Sequence, residues 1–288
     1  MLRNDTAPEG RMTLSLRNNF FKGGIILAAL SLSLIMIGGY FTFSAYPEAI
    51  GSAALRSRGI TQKLIESITV PQAYVPYCTM LAAAAYSLVS IILIYSFFEK
   101  TQSPEILFFG FFVISLAFEF ARIIIPLKVI YPLPVLYLTT ASRLLLFGRY
   151  FGLFSLFASS VYAAGLDGQK QQTTFLLSVL AAMVIAFNVP IDSLLWDSTF
   201  VLWNGYSSMF VLADAGIVAI TIITYIISAY TRLSKSYLFV GLGALLAFAG
   251  RNVLLNSDTW LTPIPGLLLL IAGTWFVCAR LHREYLWL

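Results

Sequence analysis

The chain has 288 residues, of which 59% are hydrophobic and only 11% charged, less than half the charged share of an ordinary soluble domain. That balance excludes a water-facing surface over most of the molecule and makes a bilayer the natural solvent. The net charge of +5 does not predict a nucleic-acid partner, because the basic residues are scattered at the ends of apolar segments and form no stripe or patch.

Apolar runs fall at about 21–45, 75–98, 106–127, 135–162, 173–190, 207–230, 237–255 and 262–281. Each is near the ~20 residues that cross ~30 Å of hydrocarbon as a helix. Helix is forced there, because lipid offers no partner to an open backbone group. The predicted fold is an all-α polytopic membrane protein, a bundle of about eight transmembrane helices. Residues 1–20 are read as a cytoplasmic tail, 21–281 as a single transmembrane domain and 282–288 as a short C-terminal tail.

The first run follows a basic tail, as a signal peptide would, and Ala49-Ile50-Gly51 offers small residues at a cleavage site. The run is too long and that site too far beyond it, so it is read as a retained span; cleavage would leave seven. Residues 52–68 set Leu55, Leu64, Ile65 and Ile68 against Arg56, Arg58 and Lys63, which predicts a short helix lying on the membrane within the outer segment 46–74. Polar punctuation at EKTQSPE, GLDGQKQQ and TRLSKS predicts short turns between antiparallel neighbours. Residues 191–206 carry Trp196, Phe200, Trp203 and Tyr206, rings suited to headgroup depth. That segment is either an interfacial anchor or a lid over an outer pocket.

Orientation follows from Lys and Arg. With the N-terminus inside, ten of them (Arg3, Arg11, Arg17, Lys22, Lys100, Lys170, Arg232, Lys235, Arg280 and Arg283) lie on the inner side, against four (Arg56, Arg58, Lys63 and Lys128) outside. Both termini are therefore expected in the cytoplasm, with the chain in the cell membrane.

A shift of 131 residues lays SPEILFFG (103–110) over SKSYLFVG (234–241), and YPLPVLYL (131–138) over TPIPGLLL (262–269). Spans 2–4 would then echo spans 6–8 in parallel, with span 5 between them, an arrangement known in transporters whose site lies between halves. Arg122 and Arg251 fall in equivalent spans but two residues out of register.

Six ionisable side chains fall inside the runs: Glu119, Arg122, Arg143, Arg149, Asp214 and Arg251. Each costs about 2.5–3.5 kcal/mol near a helix centre on an insertion scale, so each needs pairing, water or a ligand. At ~1.5 Å per residue Arg143 is ~12 Å and Arg149 ~21 Å below the outer surface, and Asp214 ~10 Å. Glu119, Arg122 and Arg251 also lie toward that side, with Asn188, Asn252 and Tyr77 at similar depth. Glu119 and Arg122, spaced i, i+3, share a helix face. Asp214 must find Arg143 or Arg251 on another helix. Four arginines against two acids leave a positive surplus, and the planar guanidinium fork suits carboxylate or phosphate. The predicted ligand site is thus Arg122, Arg143, Arg149, Arg251, Glu119, Asp214, Asn188 and Asn252, opening outward. Structural ion pairing, snorkelling and binding of an anionic lipid headgroup are the competing readings.

No cofactor, metal site or catalytic group is predicted. The single histidine, His282, is in the C-terminal tail, Cys78 and Cys278 lie in separate spans without CxxC spacing, and P-loop, GxSxG and HExxH motifs are missing. The small-xxx-small pair Gly148 and Gly152, and Gly241 with Gly243, are read as points of close helix approach. The functional expectation is an outward-facing, arginine-lined pocket that binds or transports a small anionic solute. The alternative is a seven-span receptor-like sensor or a scaffold subunit acting through a membrane-protein partner; its arrangement resembles bacterial seven-span sensory domains in topology alone.

Overall fold

Each apolar run folds as a helix in the computed structural model, which describes residues 13–45, 72, 74–98, 103–191, 194–203 and 205–286. The helices are α1 (Leu14–Ala45), α2 (Tyr74–Phe98), α3 (Pro104–Ile130), α4 (Val135–Ala163), α5 (Gln171–Asn188), α6 (Ser207–Thr231), α7 (Ser236–Leu255) and α8 (Pro263–Leu286). All eight are long and apolar enough to cross a bilayer, and the protein is an all-α multi-pass membrane bundle. Among the described residues no strand forms, only an isolated bridge between Trp196 and Leu202. α1 begins before residue 21 and takes in Arg17 and Lys22. The proposed surface helix at 52–68, the small residues 49–51 and most of EKTQSPE lie outside the described residues.

The organising element is α3. In its apolar window 83% of the residues are buried inside the protein, against 67% for α4, 50% for α7 and 17% for α6. It packs against α1, α2 and α4, while α4 also contacts α5 and α6, and α7 contacts α8 and α6. Large apolar side chains such as Leu212, Ile264 and Trp275 remain exposed on the outer helices, where lipid takes the place of a core.

α3 is not uniform. Pro104–Ser115 is α-helical, Leu116–Ile123 winds as a 3-10 helix, and Ile124–Ile130 returns to α. Pro126 is the local cause we identify: its nitrogen carries no hydrogen for the Arg122 carbonyl, and in a regular α-helix a proline ring would clash with the carbonyl four residues back. The carbonyls around the junction find hydroxyl donors instead. Ser31 of α1 donates to the Ala117 carbonyl at 2.7 Å, and Ser87 of α2 to that of Val113 at 2.9 Å. Without such donors the changed ladder would leave backbone oxygens unsatisfied in a water-poor interior.

Small residues set the closest approach in the bundle. A Cβ on Gly250 of α7 would meet backbone atoms of Gly266 and Leu270 on α8, and one on Gly243 would meet the Gly273 carbonyl at 2.8 Å. α7 and α8 therefore touch backbone to backbone, the contact that small residues permit between helices in lipid. Gly148 and Gly152 act similarly on α4, facing Phe118 and Ser115 of α3, while Gly241 faces Tyr225 of α6.

Alternation of the helices brings the ends of α1, α3, α5 and α7 to the same face as the starts of α2, α4, α6 and α8. Three contacts tie that face together. The Ser198 hydroxyl donates to Asp258 Oδ2 at 2.9 Å, the Gln72 amide to the Asp258 carbonyl at 3.0 Å, and Trp260 Nε1 to Gln72 Oε1 at 3.0 Å. We call this the 191–206 face.

Candidate functional site

The 3-10 stretch of α3 places the first two charges. At three residues per turn, positions i and i+3 eclipse one another, so Glu119 and Arg122 stack along one line. Both are buried, Arg122 to 1% exposure. Arg122 Nη1 lies 3.4 Å from Glu119 Oε2. Its Nε donates to the Thr199 carbonyl at 2.9 Å, and Nη2 donates to the same oxygen. Thr199 sits in a hairpin-like turn that Asp197 organises: Asp197 Oδ1 accepts from the Thr199 amide at 2.9 Å, the Thr199 hydroxyl at 2.7 Å and the Val201 amide at 3.0 Å. The loop between α5 and α6 thus folds inward and caps a buried arginine with a backbone oxygen.

The second arginine of the group comes from α4. Arg149 Nε donates to Glu119 Oε1 at 3.1 Å and Nη2 to Oε2 at 3.4 Å. Glu119 consequently bridges α3 and α4 and serves two guanidinium groups at once. Burial of a carboxylate is tolerable here because charge-assisted donors surround it.

Arg251 enters from α7. It is 4% exposed, its guanidinium carbon stands 5.9 Å from the centre of the Phe112 ring, and its Nη1 has no hydrogen-bond partner among the described residues. It lies within electrostatic reach of Glu119, Arg149 and Asp214. Asp214, on the first turns of α6, has the Tyr150 hydroxyl of α4 as the neighbouring donor to its carboxylate. Its Oδ1 is likewise buried with no hydrogen-bond partner among the described residues.

Arg149, Asp214 and Arg251 border a cavity of about 600 Å3 between α4, α6, α7 and the 191–206 face. Four of the sequence-predicted residues line it: Arg149, Asp214, Arg251 and Asn252. Glu119 and Arg122 stand behind Arg149 and do not line it. Two others lie elsewhere. Arg143 is exposed, with its guanidinium 5.5 Å from the Phe187 ring of α5, and does not line the cavity. The reason is helical phase: six residues separate it from Arg149, roughly 240° around the axis. Asn188 is exposed and donates to the Val184 carbonyl of its own helix at 2.7 Å. Of the two partners expected for Asp214, Arg143 points elsewhere, and Arg251, though at the same cavity, makes no ion pair with it among the described residues. Tyr77 also lies apart, packed between Phe43 and Phe200.

The cavity adds residues that sequence reasoning did not select: Asp197, Ser207 and Asn256 among the polar ones, and Tyr150, Trp203, Phe210 and Phe248 among the aromatic. Tyr150 had a signal, since it adjoins Arg149 in GRYFG. Asp197 had none beyond its place in the aromatic loop segment. Its presence alters the charge count. Arg122, Arg149 and Arg251 now face Glu119, Asp214 and Asp197, so the predicted positive surplus is replaced by balance.

Comparison with family models, with curated proteins and with solved structures gives no match. The functional reading rests on this geometry.

Proposed function

We propose that this integral membrane protein binds a small solute bearing an anionic group in the cavity between α4, α6 and α7, and moves it across the membrane. The observation that carries the reading is Arg251: a buried guanidinium that lines the cavity with Nη1 unpartnered. A buried donor without a partner is costly, and a carboxylate or phosphate oxygen is the complement of the guanidinium fork. Arg149, oriented by Glu119, stands as the second cation at the wall. Asn252 and Asn256 supply neutral donors, and the aromatic lining suits the mostly apolar surface of ligand pockets of this size.

The helices that build the cavity are also closed against one another at the opposite face. There Arg232 Nη2 lies 3.8 Å from Glu105 Oε1 and donates to the Tyr162 carbonyl at 3.0 Å, and Ser159 bonds to Tyr225. A site reached from one face and sealed at the other supports a transport reading. The cavity lies where α4 of one triplet meets α6 and α7 of the other, as it would if two related triplets formed the halves. In this reading the 191–206 face is external, both termini are cytoplasmic, and the chain resides in the cell membrane.

The test is a stability titration of the purified protein with a panel of carboxylates, amino acids included, and inorganic phosphate, followed by uptake of the stabilising solute into proteoliposomes. At least one solute should raise the unfolding midpoint of the wild type and be taken up, and Arg251→Gln should abolish both. A panel without effect, or an effect that persists in Arg251→Gln, overturns the reading. Binding without uptake overturns transport and leaves the receptor reading.

A further inference from the structure

The cavity holds two unfilled valences of opposite kind. Arg251 Nη1 is a donor without an acceptor, and Asp214 Oδ1 is an acceptor without a donor, among the described residues; both atoms are buried and both residues line the cavity. They are near enough to feel each other's charge, yet neither atom is satisfied by the other. Asp197, the second acid at the cavity, has Oδ1 occupied by three donors of its own loop. Asp214 thus contributes the cavity's buried carboxylate oxygen without a donor, and Arg251 its buried guanidinium nitrogen without an acceptor, among the described residues.

The charge balance around the cavity matters equally. With three arginines facing three acids, a purely anionic visitor would add an uncompensated negative charge beside Asp214, in surroundings where like charges repel strongly. A visitor carrying both signs would leave the balance intact while filling both open atoms. The same cavity has an aromatic lining, with Tyr150, Phe210 and Phe248 from three different helices.

Building on the anion-binding reading above, we propose that the ligand is a zwitterion with an apolar body: a carboxylate held by Arg251, an ammonium held by Asp214, and a hydrophobic side group against Phe210 and Phe248. This is the chemistry of an apolar amino acid. Asp214 then determines specificity, because a solute lacking the ammonium group leaves its buried oxygen unsatisfied, a defect to which polar sites are sensitive.

Three compounds of one shape separate the possibilities: phenylalanine, 3-phenylpropionate (no ammonium) and phenethylamine (no carboxylate). Each is titrated into the purified full-length protein and the unfolding midpoint followed, since a ligand that binds only the folded state raises it. Phenylalanine should bind at least about tenfold more tightly than either analogue. Asp214→Asn should remove the preference for phenylalanine over 3-phenylpropionate, while Arg251→Gln should remove binding of both. If 3-phenylpropionate equals or exceeds phenylalanine on the wild type, the zwitterion proposal fails and anion binding stands. If none of the three compounds shifts the midpoint, the zwitterion proposal fails; anion binding is then decided separately by the carboxylate and phosphate panel. The wild-type comparison of the three compounds decides the matter even if a variant does not fold.

Discussion

Gly152 of α4 makes the room that the Arg251 guanidinium of α7 occupies: a Cβ at position 152 would stand 3.1 Å from Arg251 Nη1 and would collide with the Ser115 hydroxyl of α3. A hydrogen atom on one helix thereby sets the placement of a charge on another. Gly152→Ala should destabilise the protein by roughly 1–3 kcal/mol, the range for added volume in a packed interior. It should also weaken anion binding, because Arg251 must shift. Denaturation and ligand titration on the same preparation check both effects, and unchanged binding would show that Arg251 is not held by this contact.

Glu119 is the hub of the buried charges. Glu119→Gln leaves Arg122 and Arg149 without their common carboxylate, and breaking a buried pair in this way costs about 3–5 kcal/mol. Removing one of the stranded cations in the double variant Glu119→Gln with Arg149→Met should restore part of that loss. A double-mutant cycle on the unfolding free energy measures the coupling; additivity of the two changes would refute a direct Glu119–Arg149 interaction.

Arg143 offers a contrast within α4. It faces Phe187, away from the cavity, so Arg143→Ala should leave ligand affinity unchanged and alter stability by no more than about 0.5 kcal/mol. Loss of binding in that variant would place the site on the other side of α4.

The α7–α8 contact predicts a different kind of damage. At Gly250 a new methyl would meet backbone, 2.7 Å from the Gly266 carbonyl oxygen, and backbone cannot rotate aside as a side chain can. Gly250→Ala should lower the thermal midpoint more than Gly216→Ala, since a Cβ on Gly216 meets nothing within 4 Å. Comparing the two melting curves in one detergent checks this.

Orientation is open to a direct test. With the native Cys78 and Cys278 replaced by serine, a cysteine introduced at the exposed Asn256 should react with a membrane-impermeant maleimide in intact cells. Labelling only after permeabilisation would reverse the proposed topology.

Much of this architecture is legible in the sequence because hydrocarbon thickness imposes its length on every span and forbids open backbone within it. The Glu119–Arg122 pair is legible for the same local reason, a spacing that any helix converts into proximity. Helical phase likewise puts Arg143 and Arg149 on different sides of α4, so the two could not share one site; which of them faces the cavity depends on how α4 packs against its neighbours. The capping of Arg122 by the Thr199 carbonyl has no such signature. It depends on a turn folded by Asp197 that returns from a distant loop, and neither hydropathy nor period encodes where a backbone oxygen will arrive. The 3-10 winding of α3 is an intermediate case: Pro126 announces a disturbance, but its extent over Leu116–Ile123 is settled by neighbouring helices.

That winding has a mechanical corollary. A 3-10 helix rises about 2.0 Å per residue against 1.5 Å for α. Rewinding Leu116–Ile123 into α geometry would draw the two ends of α3 together by roughly 4 Å and rotate one against the other by close to half a revolution. Such a rewinding would turn Glu119 relative to Arg149 without unfolding either end of α3.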